Sequence, residues 1–238
     1  MKQNGINRFL GISMILFISL TFISCSEEKK EKKSKATVAV STFVLYDISK
    51  HIAQDTIDLV KMIPAGVDIH AYEPTPKLMA EIEMSDLVLS NGAGLEPWIS
   101  SFSFKNKSIA MGDFVKLKHR SHEHHEEHGH QCSHSALDPH IWFDIENMKR
   151  VTDIITYEFI SLHPQHKELY VTNRDKYIKT LDTLDTMYKQ RLGSCKLDTV
   201  ITDHNAFAYL SSNYGFNIKT LSGVSPDAQV SPQDIIRI

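Results

Sequence analysis

Histidine is the residue type that asks for an explanation in this sequence. Thirteen occur in 238 residues, and seven of them (His119, His122, His124, His125, His128, His130 and His134) share one short run with Glu123, Glu126, Glu127 and Cys132. Neutral imidazole is the common nitrogen ligand for zinc, copper and nickel, so this density points to transition-metal capture. The competing reading of the run is a solvated insert, since composition permits binding without requiring it. Three other histidines stand apart: His70 in Val67-Asp68-Ile69-His70-Ala71-Tyr72-Glu73-Pro74, His140 in Asp138-Pro139-His140-Ile141-Trp142-Phe143-Asp144, and His204 in Asp203-His204-Asn205-Ala206-Phe207. Zinc takes three or four nitrogen, sulfur or carboxylate ligands in a tetrahedron, and these can come from distant positions if the fold gathers them. Spacing alone does not gather them, because the chain has no HExxH and no paired CxxC. Surface or helix-capping roles are the alternative for all three.

The elements around these histidines make the metal reading concrete. Thr37 to Phe43 is β-branched and apolar, and Leu45 to Ile57 then shows helical spacing. Leu59 to Ile63 is a second strand, and a helix follows from Pro76 to Met84, with Thr75 as its cap and proline in its first turn. Leu87 to Ser90 is a third strand, running through Asn91-Gly92-Ala93-Gly94 into a short helix at Leu95 to Ile99; Ser108 to Met111 is a fourth. Strands alternating with helices predict an α/β fold with a doubly wound parallel sheet. His70 then lies in the loop after one strand, and His204 directly follows the strand Thr199 to Thr202. The carboxyl ends of strands in such sheets form the ligand crevice. His140 sits in a turn stiffened by Pro139, just before a helix from Ile145 to Ser161 capped by Asp144. Asp144, Glu73 and Asp203 are candidates to orient imidazoles, with capping or surface roles as the alternative. Trp98 and Trp142 read as packing residues, and His51, His163 and His166 as surface residues of helices, His163-Pro164 marking a break.

Pro164 to Leu192 is rich in helix formers and predicts one long rigid helix, which Gly193 stops. A second α/β unit opens with Thr199 to Thr202, a helix from Ala206 to Tyr214 stopped by Gly215, and a strand at Asn217 to Thr220. Ser231-Pro232 begins another helix near the end of the chain, so the second lobe reads as truncated. The expected division is a first lobe over 37–163, a linking helix over 164–193 and an incomplete second lobe over 194–238.

Composition narrows the function. Formal net charge is -3 and the basic residues form no folded cluster, so nothing marks a nucleic-acid partner. Lys2 and Arg8 precede an apolar run from Phe9 to Ile23, too short to span a bilayer comfortably and laid out like a secretory signal over residues 1–24. It ends at Phe22-Ile23-Ser24-Cys25, which resembles a lipobox and makes Cys25 the candidate lipidation site; an ordinary signal peptide with an incidental cysteine, or an uncleaved anchor helix, is the alternative. Residues 25–36 are charged and read as a tether. With Cys25 assigned to lipid, Cys132 and Cys195 form no callable pair.

Four segments together carry a family resemblance: Pro64 to Pro76, Asn91 to Trp98, Asp138 to Asp144, and Asp203 to Leu210. In that order they resemble the zinc and manganese solute-binding proteins of bacterial ABC transporters. The resemblance covers the chain from about residue 37 onward. It implies two α/β lobes joined by a rigid helix, with the metal held by His70 and His140 from the first lobe and His204 from the second. It implies a fourth ligand from nearer the family's C-terminus, for which this chain offers no matching position, and Ile69 stands where some zinc members carry Glu. The histidine run lies where zinc members have a His-rich loop, which favours Zn(II) as transported ligand over Mn(II). The resemblance thus implies a monomeric receptor, lipid-anchored in the cell envelope, that hands zinc to a membrane permease and is not an enzyme. The alternatives are a manganese or iron receptor of the same family, a three-histidine zinc hydrolase, and a surface adhesin or storage lipoprotein.

Overall fold

The computed structural model describes residues 35–119 and 137–221. The expected signal, Cys25, the tether up to Ser34, most of the histidine run and the helix expected at Ser231 lie outside those residues.

Four strands form a parallel sheet: β1 (Ala36–Val40), β2 (Ile57–Lys61), β3 (Leu87–Ser90) and β4 (Lys107–Ala110), in the order β2-β1-β3-β4. Chain order reverses between β1 and β3, which makes a crevice beyond their carboxyl ends. Alternation along each strand sends side chains to both faces. Val38, Val40, Leu87 and Leu89 join one core, while Ala39 and Val88 join the other with Met79, Ile82 and Trp98. Both faces are covered, as a parallel sheet requires.

Helix α1 (Phe43–Ala53) starts two residues earlier than its apolar spacing predicts. The Thr42 hydroxyl accepts from the Leu45 N–H, so Thr42, whose β-branched side chain reads as strand, instead follows β1 and caps the helix. Ile48 and Ile52 on α1 are fully buried, each contributing about 1.5–3 kcal/mol of apolar burial. Helix α2 (Pro76–Glu83) begins as expected, with Thr75 capping the Leu78 N–H. The short helix expected at Leu95 to Ile99 is a 3-10 turn shifted to Pro97–Ser101. Helix α3 (Ile145–Leu162) is capped by Asp144, whose Oδ1 accepts from Asn147 at 3.0 Å.

After a 3-10 turn at Pro164–His166, helix α4 runs over Lys167–Gly193, about 40 Å at 1.5 Å per residue. Its first half is more than a spacer. Tyr170 is buried against Phe159, the Asn173 amide donates to the Ile52 carbonyl at 3.0 Å, and the Tyr177 hydroxyl donates to Asp47 at 2.8 Å. His163 likewise departs from the surface role expected of it, since it is half-buried and its Nε2 accepts the Ala36 N–H at 3.1 Å. Beyond α4, β5 (Thr199–Thr202) and β6 (Asn217–Thr220) pair in parallel, joined by α5 (Ala208–Tyr214). Gly215, at φ +73°, closes α5 in the left-handed conformation that glycine adopts freely. No helix among the described residues is long and apolar enough to cross a membrane.

Candidate metal centre

Three buried contacts fix the turn that carries His140. Asp138 Oδ1 accepts the His140 N–H at 3.0 Å and also lies 2.7 Å from His140 Nδ1, both side chains being almost fully buried. The Pro139 carbonyl accepts the Asn91 amide at 2.9 Å, at the end of β3. Asn91 is itself held from behind: its N–H donates to Glu96 Oε1 at 2.8 Å, and the Gly92 N–H donates to Glu96 Oε2 at 3.0 Å. Burial pushes the Glu96 carboxyl up from its ordinary range, opposed by hydrogen bonds from Ser41 and from those backbone groups. Gly92 is required here, because at φ +74° a Cβ would also meet Ala110 Cβ at 3.0 Å.

The Asp138 carboxylate sets the chemistry of the ring it touches. As acceptor it places the imidazole proton on Nδ1 and leaves Nε2 with a lone pair. That Nε2 is buried and has no hydrogen-bond partner, a costly state for a polar atom unless something binds there.

His70 lies in the loop after β2, half-buried, with its N–H donated to Asp68 Oδ1 at 2.9 Å. His204 follows β5 and is also half-buried. Its pKa is lowered, first by burial and then by the nearby His140, with Asp203, Asp68 and Asp138 pulling the other way. A lowered pKa keeps the imidazole neutral at neutral pH, the form that ligates metal. The three rings surround one point, with centroids 5.3 Å (His70–His140), 5.7 Å (His70–His204) and 5.4 Å (His140–His204) apart. One ring nitrogen from each lies within 4.8 Å of the other two. Zinc–nitrogen bonds of about 2.0–2.1 Å need donors about 3.3 Å apart in a tetrahedron, so a small inward movement lets the three embrace one ion.

The segment that follows α4 reaches this turn around α5. The Phe207 ring packs on Phe143 with centroids 4.6 Å apart, the Tyr209 hydroxyl donates to the Asp138 carbonyl at 2.9 Å, and Asn213 donates to Asp144 at 3.0 Å. Docking α5 here brings His204, four residues before it, opposite His140.

The family model described as zinc-uptake complex component A, periplasmic (ZnuA) matches residues 38–238. The chain belongs to that family. Among ZnuA relatives, the zinc-binding lipoprotein AdcA of Streptococcus pneumoniae (strain ATCC BAA-255 / R6) is 30% identical over 229 residues, 92% of this chain and 46% of AdcA. The chain thus spans about half the length of that relative. The high-affinity zinc uptake system protein ZnuA of Bacillus subtilis (strain 168) is 30% identical over 247 residues, 97% of this chain and 76% of its own. The manganese ABC transporter substrate-binding lipoprotein PsaA of Streptococcus anginosus is 28% identical over 235 residues, 95% of this chain and 75% of PsaA. Among solved structures, the periplasmic zinc binding protein TroA from Treponema pallidum superposes with a TM-score of 0.71 at 26% identity, over 85% of this chain and 72% of TroA.

Within this ZnuA-family fold, the residues singled out in the sequence fare differently. His70, His140 and His204 come together. Of the histidine run, His119 is described: it is exposed and bridges to Leu137, so the chain leaves and returns at one place. His122, His124, His125, His128, His130, His134 and Cys132 lie outside the described residues. Trp98 is buried in the second core, and half-buried Trp142 stacks edge-on against His140 with centroids 5.3 Å apart. Asp144 caps α3 and Glu73 is exposed. The carboxylates that hold ligand turns are Asp138 and Asp68, which the sequence reading passed over. The signal was present: Asp two residues before His occurs at both turns.

Proposed function

We propose that this chain is an extracytoplasmic receptor that captures Zn(II) between its lobes with His70, His140 and His204 and hands it to a membrane permease, anchored by lipid on Cys25. The observation that carries the reading is the buried, unpartnered Nε2 of His140 facing two further imidazoles. Its proton is committed to the Asp138 side, so the free lone pair is ready for a cation without rearrangement. An all-imidazole set suits zinc, whereas manganese prefers carboxylate and carbonyl oxygens.

Membership in a zinc-uptake family supports capture and delivery over the hydrolase alternative, for which three histidines and a water would also be the starting arrangement. Three measurements test this. Competition with a chromophoric chelator is expected to give one tight zinc per chain and a weaker manganese complex; tighter manganese binding overturns the assignment of the metal. Zinc-loaded protein incubated with activated esters or carbon dioxide is expected to show no turnover above free zinc, and sustained turnover would establish the hydrolase instead. Deletion of the gene is expected to abolish growth in chelated medium, with rescue by added zinc; rescue without zinc contradicts an uptake role.

A further inference from the structure

We infer that Tyr209 is a positioning residue for this metal site: its single hydroxyl couples the helix following His204 to the turn that holds His140. The inference rests on the zinc reading above.

The Tyr209 ring is almost fully buried, and its oxygen makes two bonds to the backbone of the first lobe. It accepts the Lys118 N–H at 3.0 Å and donates to the Asp138 carbonyl at 2.9 Å. Those two residues are also bonded to each other, Asp138 N–H to the Lys118 carbonyl at 2.8 Å. One phenol therefore closes a ring of hydrogen bonds around the base from which the chain departs at His119 and returns at Leu137. Asp138 is the junction: its carbonyl meets the second lobe, while its carboxylate holds the backbone and Nδ1 of His140. A shift of α5 is thus felt at both His204 and His140. The other polar tie from α5 to this turn, Asn213 to Asp144, is exposed. Burial makes the Tyr209 bonds the stronger constraint, because water cannot replace them without opening the lobes. Burial also pushes the phenol pKa up to about 12, with the Lys118 N–H opposing, so the hydroxyl keeps its proton and its donor role.

Tyr209→Phe keeps the ring and removes the hydroxyl, leaving Lys118 N–H and Asp138 C=O without that partner. Zinc affinity is expected to fall by about tenfold, mainly through faster dissociation, the scale of losing a buried hydrogen-bonded junction. The visible spectrum of the cobalt(II)-substituted variant is expected to change shape, because the three nitrogens no longer meet in the same geometry. Asn213→Ala, which deletes the exposed tie, is expected to stay within about twofold of the parent in affinity. If Tyr209→Phe loses thermal stability yet keeps parental zinc affinity and cobalt spectrum, the residue is merely structural and the inference is overturned. Equal losses from both variants overturn it too. Should the phenylalanine variant not fold, amide exchange in the parent protein decides. Binding and docking must strengthen each other by the same factor, so zinc is expected to slow exchange at Lys118, and unchanged exchange contradicts the coupling. A parent protein that fails to bind zinc at all defeats the site assignment itself, an outcome distinct from all of these.

Discussion

Two three-residue turns present histidines to the same point, Asp68-Ile69-His70 and Asp138-Pro139-His140, and in both the aspartate Oδ1 accepts the histidine N–H, at 2.9 and 3.0 Å. The resemblance stops at burial. Asp68 is exposed on a loop after β2, whereas Asp138 and His140 are almost wholly buried, the proline fixes one backbone angle, and Asn91 after β3 and Tyr209 on α5 grip the turn from two sides. The same local device therefore holds one histidine half-buried on an exposed loop and presets the other in a buried turn. The buried imidazole presets the geometry, so little is left to order when an ion arrives there.

Removing the preset ligand should have the largest effect. His140→Ala deletes one of three donors and strands the buried Asp138 carboxylate, so zinc affinity is expected to fall roughly 100-fold or more, the scale of about 3 kcal/mol for breaking a buried pair. Isothermal titration checks this, and a loss under tenfold would place the site elsewhere. Asp138→Asn keeps the shape but removes the charge that directs the proton to Nδ1, and is expected to cost about 10- to 100-fold in zinc affinity by the same titration. Asp68→Ala removes only a half-solvated backbone bond, for an expected loss of about threefold. If the two aspartate variants lose equally, the contrast between the turns is wrong. Smallest of all, deletion of residues 119–134 is expected to leave the affinity of the main site within about twofold, while lowering the total number of zinc ions bound weakly; a loss comparable to that of His140→Ala would merge the run with the main site.

The same contrast explains how much was legible in the sequence. Strands β3, β5 and β6 were found to the residue, because short apolar or β-branched runs bounded by glycine, proline and polar residues leave little choice. The start of α1 is misplaced because β-branched Thr42 and aromatic Phe43 extend the strand pattern, and only the Thr42 bond to the Leu45 N–H reveals the cap. The long helix was predicted, but its packing on α1 was not, since Asn173 reaching the Ile52 carbonyl is a contact 121 residues apart. His70, His140 and His204 could be named from their places near strand and helix ends and from the family resemblance, although no spacing rule joins them. The residues that hold them were missed for a physical reason. Asp68, Asp138 and Glu96 bond partners only two to five residues away, but such short spacings carry no motif of their own; Tyr209 bonds Lys118 and Asp138, 91 and 71 residues away, which only the fold brings near.

Anomalous diffraction at the zinc edge, from crystals loaded with one equivalent of metal, tests the central claim most directly. The account predicts one dominant peak about 2.0–2.1 Å from a ring nitrogen of each of His70, His140 and His204, with His140 bound through Nε2. A dominant peak bonded to other residues, or to His140 through Nδ1 with Asp138 displaced, would contradict it.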